Sequence, residues 1–252
     1  MDLFGQAPFP CRFFWGPEGA ALAGDRGDIV VVVDVFSFSS AVAVLASRGA
    51  EVLPAQSAED ARTLAGVVPA AVVLPGRRHA TPEGWSHSPI SLQVVPPGTR
   101  LIFFSSNGGR CCSLARGAAS LVVGGLINAS AVVAATVERH WRLGAAVSVV
   151  ACGERWVGSD TLRPCLEDEL GAGAIISALG LARSPEADSA ARLYDSLRGA
   201  VASSLWECAS GRELRARGFL DDVRYMSHVD AIAVAAVRDA DGWLRGHSPG
   251  PG

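Results

Sequence analysis

Residues 29–40 read IVVVVDVFSFSS. Val30 to Val33 form an unbroken β-branched run, the pattern of a strand buried on both faces in the middle of a parallel sheet. Asp34 ends the run. An ionised carboxylate is costly in an apolar interior unless it is paired, hydrogen-bonded or metal-bound, so Asp34 belongs at the strand's carboxyl end, facing a crevice. Ser37, Ser39 and Ser40 follow. The next segment, AVAVLASRG, predicts a helix over 39–48 that stops at Gly49. Ligands in open α/β sheets bind where strands end and helices begin. The structural alternative is that Asp34 caps the helix and the serines fill the turn.

Moving outward, residues 51–55 predict a short strand. Ser57 caps the next helix, with Asp60 in its first turn. Residues 71–74 are again apolar. This β-α-β-α-β rhythm predicts an α/β fold, with a mostly parallel or mixed sheet and helices on both faces. Residues 75–98 form a long polar, Pro-rich loop, a length often reserved for function. Strands are expected at 101–104, 120–123 and 146–151, with helices from about 110 to 116 and from Asn128 or Ser130 to about Arg142. Residues 152–163 are expected as a loop. Pro164 starts a helix through LEDELGAGAIISALG, and Ser184-Pro185 starts a mainly helical region with a final strand at 231–237. Residues 12–15 suit an edge strand, and the rest of 1–28 reads as loop. The division expected is therefore an N-terminal segment 1–28, one domain over 29–240 and a disordered tail over 241–252.

The 252 residues, 49% hydrophobic, can bury a real core. The net charge of -3 offers no overall basic field for nucleic acid. All 22 cationic residues are arginine. Without lysine there is no P-loop lysine and no Schiff-base or pyridoxal-phosphate anchor. Any bound anion must be held by arginine, backbone N–H groups or a metal. The six cysteines show no C-x-x-C pair or zinc-type spacing, which suits reduced, mostly buried thiols in a cytoplasmic protein. Residues 1–11 lack a signal-peptide pattern, and no run is long enough to span a membrane. The mean hydropathy of +0.28 is compatible with a homodimer.

Three further segments carry candidate chemistry. Ser105-Ser106-Asn107-Gly108-Gly109-Arg110 is a strand-to-helix turn. Its hydroxyls, free N–H groups and Arg110 could cradle an anion, or it could be an ordinary Asn-Gly turn. Leu166-Glu167-Asp168-Glu169 places carboxylates in a helix's first turn, where the dipole favours them in any case. Convergence of Glu167 or Asp168 with Asp34 would demand a hard cation, typically Mg²⁺. In the long loop, Arg77 and Arg78 could reach an anionic substrate and His87 could act as acid or base; solvated side chains are the alternative. Asp221, Asp222 and Asp230 read as loop and capping residues.

Together these segments resemble the 2-phosphosulfolactate phosphatase (ComB) family. The matching pieces come in family order: VVVDVFSFSSAVAVLASRGAEVLP, GWSHSPISL, SSNGGR, VVGGLINASAVV and VVACGERW…LEDELGAGAII. The resemblance covers roughly residues 29–179. It implies an α/β fold particular to the family and Mg²⁺-dependent hydrolysis of a phosphate monoester on a small sulfonated hydroxy acid, in the coenzyme M branch of sulfonate metabolism. The chain departs from the family pattern in four places, the mildest being Ser105-Ser106-Asn107-Gly108-Gly109-Arg110 where the family has Thr-Thr-Asn-Gly-Thr-Arg. Ser37 stands where the family usually has arginine, Gly76-Arg77 where it has Gly-Glu, and Ser86-His87-Ser88-Pro89 where it has Gly-Asn-Ser-Pro.

The expected function is therefore hydrolysis of 2-phosphosulfolactate to sulfolactate and phosphate by a Mg²⁺-dependent phosphatase. Asp34, Glu167 and Asp168 are the expected metal ligands, and Asp34, His87 and Arg110 the catalytic set. Ser37, Ser39, Ser40, Arg77, Arg78, Ser105, Ser106, Asn107, Gly108, Arg110 and Asn128 are expected to bind substrate. The alternatives are a divergent, non-catalytic paralogue that binds small anions, and a phosphatase for a carboxylated phosphate ester.

Overall fold

The structure is a computed structural model that describes residues 4–248. In chain order it runs β1 (Cys11–Trp15), α1 (Gly16–Asp25), β2 (Ile29–Val33), α2 (Phe38–Ser47), β3 (Glu51–Ala55), α3 (Ala58–Val67), β4 (Val72–Val73), β5 (Arg100–Phe104) and α4 (Gly108–Leu114). It continues with β6 (Ser120–Val123), α5 (Ala129–Leu143), β7 (Val147–Ala151), the pair β8 (Glu154–Arg155) and β9 (Leu162–Arg163), and α6 (Leu166–Ala178). The last third holds α7 (Pro185–Leu197), α8 (Val201–Glu207), α9 (Ala209–Ala216), α10 (Leu220–Met226), β10 (Ala235–Arg238) and β11 (Leu244–His247).

The main sheet has the order β1-β7-β2-β6-β10-β11-β3-β5-β4. The expected α/β class holds: β1, β7, β2 and β6 are parallel neighbours, and so are β3, β5 and β4. The hairpin β10–β11 joins these two blocks through antiparallel pairings to β6 and β3. The valines of β2 are fully buried and divide between the two faces. Val30 and Val32 enter the core containing α2, while Ile29, Val31 and Val33 enter the core containing α5 and α6. A continuous apolar run is what burial on both faces requires. Helix α2 is apolar all round, and every residue from Phe38 to Ala46 is buried. It packs against β6, β10, β11 and β3, so it lies where the two blocks meet.

Four expectations need correction. The N-terminal segment is not loop beyond its strand, because GPEGAALAGD forms α1 with Pro17 in its first turn. Its small residues allow close packing: a Cβ on Gly24 would lie 2.9 Å from the Ala115 backbone. The loop at 152–163 contains the β8–β9 hairpin. The expected tail contributes β11 to the sheet interior, so the sheet runs from Cys11 to His247. Arg245 secures that strand by pairing with Glu51, Asp239 and Asp241. Residues 249–252 of the tail lie outside the described residues. The final helix of the site region starts at Leu166 and not at Pro164. Among the described residues no helix is long and apolar enough to cross a membrane. All six cysteines are free, and all but Cys208 are buried.

One buried polar network ties the edge of the sheet together. Arg12 NH1 donates to both oxygens of Asp28, at 3.0 and 2.8 Å, and Ser148 Oγ donates to the same carboxylate at 2.6 Å. Breaking a buried pair from one side strands the other charge. Asp28→Ala is therefore expected to cost about 3–5 kcal/mol, measured by urea unfolding, whereas a loss below about 1 kcal/mol would mean that solvent compensates Arg12.

Candidate active site

The site is built at the carboxyl ends of β2, β5 and β7. Asp34 follows β2 directly and is 6% exposed. Its Oδ2 accepts the Gly108 N–H at 2.9 Å and the Ser105 hydroxyl at 3.4 Å; its Oδ1 accepts the Phe38 N–H at 3.4 Å. Both ends of this clamp follow from local sequence. Gly108 opens α4, and a Cβ there would run into the Phe38 ring and sit 2.9 Å from Asp34 Oδ2. Gly109 meets the Ala55 carbonyl in the same way. Only a Gly-Gly start lets α4 come this close.

Burial is the main force on Asp34. Together with the nearby negative charge of Glu154, it raises the carboxyl to about 6, against the hydrogen bonds from Gly108 and Phe38 and the charge of Arg77. Asp168 is also pushed upward, by burial and then by the charges of Asp34 and Glu167. Asp168 spends both oxygens on main-chain donors, Val35 N at 2.7 Å and Gly153 N at 2.8 Å. It therefore pins the loop after β2 to the loop after β7. Glu154 lies just beyond β7, accepts Asn107 Nδ2 at 2.9 Å and faces Asp34 electrostatically.

Three cavities lie side by side. The central one, about 160 Å³, is lined by Asp34, Ser37, His87, Ser105, Ser106 and Asn107. Asn107 also lines a second cavity of about 440 Å³ with Arg110, Cys152, Glu154 and Arg155. His87 also lines a third, of about 330 Å³, with Arg77, Arg78, Arg217 and Phe219. Asp34 thus sits in the middle of a groove with an arginine cluster at each end. The Arg110 side chain has no hydrogen-bond or ion-pair partner among the described residues.

Residues 17–240 match the family described as 2-phosphosulpholactate phosphatase. The chain belongs to this family. It is also 29% identical over 236 residues to a probable 2-phosphosulfolactate phosphatase of Gloeobacter violaceus (strain ATCC 29082 / PCC 7421), covering 90% of this chain and 93% of that protein. Membership makes it a phosphoric monoester hydrolase, as the sequence resemblance implied.

Within the phosphatase family frame, the expected site residues divide. Asp34, Ser37, Ser105, Ser106, Asn107, Gly108 and Arg110 come together, and Arg77 and Arg78 stand at the groove's far end. Ser39 and Ser40 do not join them. Both are fully buried and donate to the carbonyls of Asp34 and Val35, at 2.7 and 2.8 Å, because a buried hydroxyl needs a hydrogen-bond partner. Asn128 is fully buried too; it accepts from Gly125 N and donates to the Val234 carbonyl. Glu167 lies toward α8, where the Cys208 thiol is 3.5 Å from its Oε2. Among the described residues no group of three or more His, Cys, Asp or Glu is arranged to hold a metal; Asp168 feels the charges of both Asp34 and Glu167 but spends its two oxygens on main-chain N–H groups.

His87 lies beside the groove in a buried setting. It stacks on Phe103 at 4.4 Å, and its Nε2 must donate to the Leu74 carbonyl at 3.1 Å. Burial lowers it to about 4, so it is neutral at pH 7 and is not a proton-charged acid. Two contributors were missed. Glu154 follows a buried strand just as Asp34 does, and that shared position could have identified it. Asp222 is 3% exposed, accepts Arg77 Nε at 3.1 Å and Ser88 Oγ at 2.5 Å, and so anchors the long loop to α10. No local signal marks it, because its partners lie more than a hundred residues away.

The raised Asp34 sets a testable pH dependence. The folded state favours its protonated form, so this group's contribution to stability falls as pH rises from about 4 through about 6. Asp34→Asn should raise the melting temperature of the metal-free protein at pH 8 and leave it nearly unchanged at about pH 3.5. Equal shifts at both pH values would show that Asp34 is not carrying a burial penalty.

Proposed function

We propose that this chain is a Mg²⁺-dependent phosphatase that hydrolyses 2-phosphosulfolactate to sulfolactate and phosphate. The observation that carries this reading is the buried, unneutralised Asp34 at the centre of a groove whose two ends are arginine-rich. The substrate class has a matching shape of charge: a phosphate ester on one carbon and further acidic groups on its neighbours.

The residues present fit a Mg²⁺ ion of the ordinary enzymatic kind, held by one or two carboxylates and completed by water and substrate phosphate. Asp34 and Glu154 are the ligands this reading names, because Glu154 lies close enough for its charge to disfavour ionisation of Asp34. When bound there, the ion would offset charge on the phosphoryl oxygens and lower the pKa of a water. Asp168 acts through position, since its bonds to Val35 and Gly153 set the distance between the Asp34 and Glu154 loops. Arg110, forked and unpaired, binds the phosphoryl group. Arg77 stands opposite. Ser37 replaces the arginine usual in the family, and Arg77 brings a guanidinium to the same groove from the long loop. Asp222 holds it by Nε, while burial weakens its hold on the proton. Arg77 and Arg78 bind the sulfonate end. His87 stays neutral, packs on Phe103 and shapes the wall between the two ends.

Hydrolysis adds water across the phosphorus–ester oxygen bond, leaving inorganic phosphate and the alcohol of sulfolactate. Phosphate release from 2-phosphosulfolactate should occur with Mg²⁺ and stop with EDTA; release that persists in EDTA would refute the metal role. Asp34→Ala should lower kcat by roughly 10³-fold, the scale of several kcal/mol of lost charge stabilisation. A carboxylate analogue of the same ester should show a higher KM than the sulfonate, while equal values would assign the groove to carboxylated esters.

A further inference from the structure

The largest cluster of unused charge lies at the other end of the sheet. A cavity of about 670 Å³ opens at the amino end of β6, lined by Arg116, Arg139, Arg142, Arg238, Asp239 and Ser120 among others. It collects the carboxyl-terminal ends of α4 and α5 and the end of β10. Helix α4 separates it from the Asp34 groove: Gly108, at the helix start, bonds Asp34, whereas Arg116 lies beyond the helix end. Seven helical residues span about 10 Å, so the two cavities are distinct.

Four arginines here face little negative charge. Asp239 is the one lining carboxylate, and it is already paired with Arg245 at 2.8 Å. Glu138 approaches Arg139 and Arg142 only at 3.9 Å each and holds His247 Nε2 at 2.9 Å. Arg116 makes no side-chain hydrogen bond or ion pair among the described residues. Helix-end capping explains part of the cluster. Arg238 donates to the Cys112, Ala115 and Arg116 carbonyls at the end of α4, a favourable place for a cation. It does not explain Arg139. That side chain is only 7% exposed, and its NH1 donates to the Ala135 carbonyl at 2.9 Å. Its Nε is fully buried with no partner among the described residues. A buried guanidinium with an unmet donor is costly. An anion in the cavity would offset the positive charge of Arg116, Arg139 and Arg142 together.

We propose that Arg116, Arg139, Arg142 and Arg238 form a second binding site, separate from the phosphatase groove, for a small oxyanion carrying two or more negative charges. Arginine forks suit such a ligand, because each can meet two oxygens at once. The size of the cavity excludes nothing smaller than a diphosphate or a tricarboxylate. The site stands independently of the phosphatase reading.

Isothermal titration with inorganic pyrophosphate in EDTA tests it, using three full-length proteins. Arg110→Gln removes the cleft arginine and reports the distal site. R116Q/R142Q changes two exposed side chains that play no part in the phosphatase groove. The third protein combines all three substitutions. The expected result is saturable binding to Arg110→Gln that weakens with added NaCl. Binding should be weaker by roughly tenfold or more in the triple variant, the scale of one lost charged contact. Melting temperature and phosphate release of R116Q/R142Q should match the wild type. Undetectable binding to Arg110→Gln at millimolar pyrophosphate, or equal affinity in the triple variant, would overturn the proposal.

Discussion

Helix α2 is buried on every side, and the molecule is arranged to make that burial tolerable. A helix of Phe, Val, Leu, Ala and small hydroxyls can be covered all round only if the sheet meets it on more than one side. The hairpin β10–β11 provides that cover by joining two parallel blocks that would otherwise be separate sheets. Gly246 in β11 shows how tight the fit is, since a Cβ there would lie 2.6 Å from the Ala46 carbonyl. A buried helix must also satisfy its first N–H groups without water. At the amino end of α2 the Asp34 carboxylate accepts the Phe38 N–H and the Asp34 carbonyl accepts the Ser39 N–H, while the Ser39 and Ser40 hydroxyls donate to the carbonyls of Asp34 and Val35.

That local demand and the active site share one residue. Asp34 accepts from Phe38 and Gly108, yet these contacts do not offset its loss of solvent and the proximity of Glu154. The fold therefore holds a carboxylate under tension at the point where three strands end. Asp168 is buried as deeply, but it uses each oxygen on a main-chain N–H. Both carboxylates accept main-chain N–H groups, but of the two only Asp34 lines the central cavity. Perturbation of this kind, in a cleft with a named charged neighbour, is a mark of functional sites.

The absence of lysine shapes the rest of the electrostatics. Every cation is a planar fork that stays charged when buried. Arg12 and Arg77 use this in ion pairs with Asp28 and Asp222, one at the sheet edge and one beside the groove. Arg139 is buried without an equivalent partner. The basic groups consequently divide between the two ends of the sheet, with Asp34 facing one set and no free carboxylate facing the other.

The sequence by itself determined the elements whose signals are local. The valine run defined β2, and its end placed Asp34 at the sheet's carboxyl side. Ser57 and Ser184 capped their helices as hydrogen bonding to Asp60 N and Ala187 N requires. The order of motifs was enough to identify the family. Tertiary structure alone decided which polar residues face the groove. Ser39, Ser40 and Asn128 have the same chemistry as Ser37 and Asn107, but their backbone neighbours claim them. The first turn of α6 brings Asp168 and not Glu167 toward Asp34, while Glu167 turns toward Cys208 and Glu154 approaches from the loop after β7. The strand at Leu244–His247 was hidden because LRGH has no apolar alternation, and its place comes from pairing with β10 and β3. Local propensity acts over a few residues. These choices were made by contacts between segments far apart in the chain, and burial, which is set only when the whole chain packs, determined what each of them cost.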